Sequence, residues 1–300
     1  MLVRSGILED LEGLFEFRPL NFTLFTSETC RAVVEALESG DETVSFSPDL
    51  GHSPPKTFRL FNRRLVVDEG EIDATLLQSI ISDERSIYYV EGNELKRAEV
   101  RGDHYYKLVK TSFGYAPTVE IDGIHMHRVS GVTPEEDASM KVSLIRSVRG
   151  RTVLDTCTGL GYTAIASLRR GASLIITVER DRNVIELARL NPWSRRLRES
   201  AVKTILNDVR DVVSRLSDNV IDVVIHDPPT ISVAGDLYSA SFYRELARVM
   251  VRGGEMVHYV GLPGARTGKS IYKGVMERLR NSGFSVRWCS RERSVYARKL

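Results

Sequence analysis

The chain has 300 residues, 42% apolar and 27% charged, which suits one large folded domain or two modest ones. No apolar run approaches the roughly 18 residues of a membrane-spanning helix, so that class is excluded. The formal net charge of +2 hides an asymmetry, because residues 1–130 hold 14 Lys/Arg against 22 Asp/Glu and residues 131–300 hold 28 against 18.

A basic half beside an acidic half points to a polyanionic partner for the basic half, or to solvated arginine-rich helices. Thirty-three of the 42 bases are Arg, which suits phosphate forks and heat-tolerant ion-pair networks equally well. The N-terminal stretch MLVRSGILEDLEGLF carries acids where a signal or transit peptide carries bases, so export is not expected. Cys30, Cys157 and Cys289 are far apart, which argues against a disulfide framework and a zinc knuckle and for a cytoplasmic location.

In chain order, residues 27–39 open on a Ser/Thr cap, keep helical apolar spacing and stop at Gly40. Short strands are then predicted at 57–60, 64–67, 86–90, 94–100, 105–109 and 118–121, separated by turn signals such as Glu91-Gly92-Asn93 and Asp122-Gly123. Residues 1–130 thus read as a small, mixed, strand-rich domain. Ile124-His125-Met126-His127-Arg128 places two His at alternate positions, but no third ligand lies nearby, so no metal is expected; a strand end lining or covering a ligand pocket is favoured.

At about residue 130 the texture changes. Thr133-Pro134-Glu135-Glu136-Asp137 is a helix start, and this helix is predicted to run through Val148 and stop near Gly150. Apolar runs at 152–155, 174–178, 202–207, 220–226 and 255–260 then alternate with helical segments. That alternation predicts an α/β, doubly wound, mostly parallel sheet over 131–300. The closing runs, 284–288 and 295–298, are joined by a short polar link and read as a hairpin, so one strand runs antiparallel.

Four of these strands end in polar residues that would face one crevice. The first ends in Asp155-Thr156-Cys157-Thr158-Gly159-Leu160-Gly161, a turn whose glycines let backbone approach a ligand. Ala164 stands where a dinucleotide site has its third glycine, and no Walker lysine follows, so the turn alone is a weak signal. The second strand ends in Glu179-Arg180, the third in Asn207-Asp208 and the fourth in His226-Asp227-Pro228-Pro229-Thr230. Each acid singly is also compatible with a helix cap or turn; four in register favour a ligand site.

Residues 130–300 resemble the class I (Rossmann-like) S-adenosylmethionine-dependent methyltransferases. Asp155 through Gly161 matches that family's glycine-rich motif, Glu179 its ribose acid, Asp208 its adenine-contacting acid and Asp227-Pro228-Pro229 its fourth motif. Leu190-Asn191-Pro192-Trp193-Ser194, 225–229 and 242–246 further resemble a group of predicted archaeal methyltransferases. The resemblance implies S-adenosylmethionine as cofactor, held by Asp155, Thr156, Cys157, Thr158, Gly159, Gly161, Glu179, Arg180, Asn207, Asp208 and Asp227.

It also implies a catalytic role for Asp227, Pro228 and Pro229. In related enzymes such a motif usually marks methylation of a planar exocyclic amine, with the acid and the first proline carbonyl as acceptors. Thr230 stands where those enzymes carry a stacking aromatic; stacking would come instead from Tyr162, Phe242, Tyr243 or a residue of the first domain, or be absent. An RNA base is the expected substrate, cytidine N4 ahead of purine amines. The alternatives are a protein or small-molecule methyltransferase, an aminopropyltransferase, and a non-enzymatic RNA-binding adaptor. Phosphate contacts are expected from Arg195, Arg196 and Arg198, or from the basic stretch 278–300 that includes Arg291 and Arg293.

Overall fold

A computed structural model describes residue 7 and residues 11–112, 114–261 and 271–300. The chain divides into two compact units, one of Met1–Phe17, Glu135–Arg182 and Arg196–Leu300, the other of Arg18–Pro134 and Asn183–Arg195.

The larger unit is built on an eight-stranded sheet. Its strands are β1 (Leu14–Phe15), β2 (Thr152–Asp155), β3 (Leu174–Glu179), β4 (Val202–Leu206), β5 (Ile221–His226), β6 (Met250–Tyr259), β7 (Phe284–Cys289) and β8 (Ser294–Lys299). Their order across the sheet is β1-β4-β3-β2-β5-β6-β8-β7. Strands β2 to β6 are mutually parallel, whereas β1 and β8 run against their neighbours. The apolar runs Thr152–Asp155 and Leu174–Val178 are buried along their whole length, as strands covered on both faces must be. Val212, Val213, Phe242, Tyr243, Leu246, Val275 and Leu279 from three of the covering helices pack in one cluster with Leu154, Ile176, Ile205 and Val224 from the sheet.

This is the doubly wound, mostly parallel architecture that the alternation predicts, including the closing hairpin. The helix that opens this part of the chain, Pro134–Ser143, is shorter than its predicted extent to Val148. Its last turn is closed by the Arg170 guanidinium, which donates to the carbonyls of Val142 and Ile145. Ile145 and Val148 are buried from irregular turns, so apolar burial there does not need helix.

The smaller unit has three antiparallel sheets and one long helix, Ser27–Ser39, ended by Gly40 in the left-handed conformation (φ 76°). The sheets follow the hairpin reading: Thr43–Phe46, Lys56–Phe61, Arg64–Val67 and Gly70–Asp73 form one, and Leu24–Phe25, Tyr88–Glu91 and Glu94–Arg97 a second. The third contains Glu99–Arg101, Tyr105–Val109, Thr118–Ile121 and Ile124–His125. Phe25, Val33, Phe46, Leu65, Leu77 and Val90 centre its core.

Candidate active site at the strand ends

Asp155 ends β2 with no exposed surface. Thr163 donates to its Oδ1 at 2.8 Å and Thr177 to its Oδ2 at 2.6 Å. With the Thr177 hydrogen placed there, Thr158 is the donor in its 2.7 Å bond to Thr177. Burial pushes the Asp155 carboxyl up to about 7 against the pull of these hydroxyls, and the charges of Asp227 and Glu179 add to the rise. The turn that follows closes on Gly161, at φ 78° and at the start of helix Tyr162–Arg169. A Cβ there would lie 2.6–2.8 Å from three Leu197 side-chain atoms, so both conformation and space require glycine.

Glu179, at the end of β3, ties this turn to the next loop. Its Oε2 accepts from the Gly159 N–H at 2.9 Å and its Oε1 from the Asp181 N–H at 3.0 Å. Burial raises its pKa. Each carboxylate oxygen has a second lone pair, so the two backbone bonds do not exhaust the group. Cys157 is half-buried, and its thiol is raised by burial and then by the charges of Glu179, Asp155 and Asp227. A neutral thiol among three acids is no nucleophile; the acids themselves make the place favourable for a cation.

The end of β4 is arranged differently. Asn207 Oδ1 accepts from the Asp208 N–H, and Asp208 caps the helix Val209–Arg215 by accepting from Arg210 N. Both Asp208 oxygens also meet the Arg210 side chain, whose hydrogen bonds lower the Asp208 pKa. Arg180 is exposed.

The end of β5 holds the feature that the sequence reading missed. Lys141, only 5% exposed on its helix, sends Nζ to Asp227 Oδ2 at 2.7 Å and to Asp137 Oδ2 at 2.8 Å. The same Nζ sits 3.8 Å from the centre of the Tyr259 ring. Burial alone would lower the lysine pKa, but the Asp227 and Asp137 charges outweigh it and raise it. The available signal was the i,i+4 pair Asp137/Lys141 just after the Thr133-Pro134 start, which reads as ordinary surface charge until burial is known.

Beneath the Asp-Pro-Pro segment the backbone is fixed from below. Tyr238 donates to the Pro229 carbonyl at 3.0 Å. His226 Nε2 meets the Leu237 carbonyl at 3.0 Å and therefore carries the hydrogen, so Nδ1 accepts from Thr156 Oγ1 at 2.7 Å. Burial pushes this imidazole down to about 4, and it is neutral. His258 lies beside it on β6, ring centres 4.3 Å apart, with Nε2 bonded to the Tyr243 hydroxyl.

The aromatic side chains named for the stacking place at Thr230 are all buried. Tyr162, Phe242 and Tyr243 are 5%, 4% and 0% exposed, the last two within the core cluster of the large unit. Among the other residues singled out, Arg195 pairs with Asp49 at 2.7 Å and Arg196 with Glu199, so their charges are already partly answered. His125 meets Glu120 and Arg85, and His127 meets Thr118. Among the described residues no three His, Cys, Asp or Glu side chains converge as a metal site, and no helix is long and apolar enough to cross a membrane. The motif 190–194 is a polar turn in which Asn191 bonds Ser194 Oγ and the Trp193 N–H, with Trp193 buried beside His52.

The uncharacterized protein MJ1233 of Methanocaldococcus jannaschii is 45% identical over 260 residues, 85% of this chain and 89% of that one. The chain belongs to that protein's family. The model of the family described as conserved hypothetical protein 95 matches residues 139–240, which include Asp155, Glu179, Asp208 and Asp227. Among solved structures, a spermidine synthase of Thermotoga maritima superposes with a TM-score of 0.52 at 17% identity, over 67% of this chain and 72% of that one. An S-adenosylmethionine-dependent methyltransferase of Mesorhizobium loti aligns at 12% identity and a TM-score of 0.38, over 53% and 96%. The synthase likeness is one of fold.

Proposed function

We propose that this protein is an S-adenosylmethionine-dependent methyltransferase acting on an exocyclic amine of an RNA base, with cytidine N4 the favoured target. The observation that carries the reading is Asp227, held through one carboxylate oxygen by Lys141, at the strand end beside a rigid proline pair and next to Asp155 and Glu179. The residues present fit the cofactor. Glu179 keeps lone pairs for ribose hydroxyls, and the acids around Cys157 suit a sulfonium. When bound, S-adenosylmethionine supplies an electrophilic methyl group.

The chain's own part is to prepare the nitrogen. An exocyclic amine keeps its lone pair in the ring while it is planar. Asp227 Oδ1 and the Pro228 carbonyl, accepting its two hydrogens, favour the pyramidal form that exposes that pair. Proline fixes the carbonyl's direction, and Tyr238 holds the next one. The acceleration then comes from positioning and from acceptors set in advance.

The test is transfer of labelled methyl to RNA from cells lacking the gene, followed by nucleoside analysis. A methylated exocyclic amine supports the reading, and transfer to carbon, oxygen or protein overturns it. Aminopropyl transfer from decarboxylated S-adenosylmethionine would replace it with the polyamine alternative. RNA binding should weaken steeply with salt. Replacing Arg195, Arg196 and Arg198 together, or Arg291 and Arg293, is expected to flatten that slope.

A further inference from the structure

Two carboxylates and an aromatic face around one nitrogen are what a protein offers to bind an alkylammonium ion. Here that nitrogen is the chain's own. Lys141 Nζ lies 2.8 Å from Asp137, 2.7 Å from Asp227 and 3.8 Å from the Tyr259 ring centre, so its three hydrogens all have an electron-rich partner. Asp137 and Lys141 are almost wholly buried, whereas Asp227 keeps 21% of its side chain exposed. Among the described residues the arrangement is closed around Lys141 and Asp137, whereas Asp227 and the half-buried Tyr259 keep exposed surface.

We propose that Lys141 is the permanent occupant of an alkylammonium site and thereby a specificity-determining residue. It answers the Asp137 and Asp227 charges from within, so the site accepts a neutral amine at the remaining Asp227 oxygen and turns away an alkylammonium substrate. This rests on the reading of Asp227 as the residue that meets the acceptor amine. It separates two chemistries that share this fold. An aromatic amine arrives uncharged; as its nitrogen takes the methyl, the S–CH3 bond of the sulfonium breaks to leave a thioether, and the released proton passes to the Asp227 carboxylate or to water. A polyamine arrives as a cation and needs carboxylates not already paired.

The geometry supplies a test that needs no knowledge of the substrate. Lys141→Ala removes three carbons and the nitrogen, which n-propylammonium restores. The full-length variant is expected to melt below the wild type. Added n-propylammonium chloride should raise its Tm by roughly 3 °C at about ten times the dissociation constant. Sodium chloride at equal ionic strength, tetramethylammonium and 1-propanol should not, since none offers a compact N–H cation on a propyl stem. Putrescine should also raise the variant's Tm and leave the wild type unmoved.

Equal response of variant and wild type to n-propylammonium, or equal response of the variant to all four additives, overturns the proposal. So does stabilisation of the wild type by putrescine, which would reveal an open alkylammonium site. If Lys141→Ala is recovered only by refolding, the yield of folded protein with each additive reads the same contrast. Failure of the amine-methylation reading shows elsewhere, as undiminished methyl transfer in Asp227→Ala, and is thus distinguishable.

Discussion

The two units differ in how deeply they bury charge. In the small unit most ion pairs lie on open strand faces: Lys56 with Asp68, Lys96 with Glu91, and Arg97 with Asp83 and Glu99. In the large unit ionisable groups are buried at the strand ends, with Asp155 at 0% and Lys141 at 5% exposure. Exposed pairs contribute little to stability, because water and salt already satisfy both partners. A buried charge is costly unless geometry and hydrogen bonding compensate, so a fold retains it where chemistry needs it. The contrast is the reason for placing the proposed chemistry in the large unit. Buried Glu120, paired with half-buried Lys107 and exposed Arg85, and buried Asp49, paired with Arg195, show that the small unit is not without such groups.

The contrast can be broken at Asp227. Asp227→Ala is expected to cut turnover on the order of a hundredfold or more with little change in cofactor affinity, because its bond to the amine strengthens as the nitrogen becomes pyramidal. Asp227→Asn should be milder, since an amide oxygen still accepts. Single-turnover methyl transfer and calorimetry decide it, and near-wild-type turnover in the alanine variant would sink the assignment.

Glu179→Ala should weaken S-adenosylmethionine binding by about 1.5–3 kcal/mol, through loss of a charged acceptor. Calorimetry that finds unchanged affinity removes Glu179 from the site. Gly161→Ala should destabilise the fold by roughly 1–3 kcal/mol, since its Cβ meets Leu197 and its φ of 78° is unfavourable for alanine. Chemical denaturation checks this.

A smaller effect follows from pH. The Asp155 carboxyl is raised in the fold from 3.8 to about 7, so its stabilising contribution is complete below about pH 3.8 and is lost as pH rises through 7. His226 is lowered from 6.5 to about 4, so its contribution is present above pH 6.5 and lost as pH falls through 4. Asp155→Asn should therefore gain on the wild type in Tm as pH rises from 4 to 7, and parallel melting curves would contradict the shift. At the low end of the scale, Lys96→Ala in the small unit should leave the melt unchanged, and a clear fall would mean that its exposed pair with Glu91 matters more than its surroundings suggest.

Strand positions in the large unit were legible because buried parallel strands are uninterrupted apolar runs, as at Thr152–Asp155. Helix Ser27–Ser39 was legible from its cap and its terminal glycine. The strand-end acids could be named from their places after those runs. Their partners could not. Lys141 is 86 residues from Asp227, and only the fold shows that they meet. Phe242 and Tyr243 looked available for stacking, but which face of a helix points inward at that place depends on the packing of the sheet. Strand β1 was invisible for another reason: two residues, Leu14 and Phe15, carry no periodicity at all.

That short strand has a consequence for the order of events during synthesis. Leu14 pairs with Ile205 and Phe15 with Thr204, so the partners of the chain's earliest described strand emerge about 190 residues later. Between them the ribosome delivers Arg18–Pro134, which closes its own hairpins from neighbouring residues. Local hairpins form sooner than distant pairings, so the hairpins of 18–134 take shape before the large sheet can gain its β1 edge. Until then the outer edge of β4 is open to other chains, and a truncation that removes residues 1–17 would leave it so.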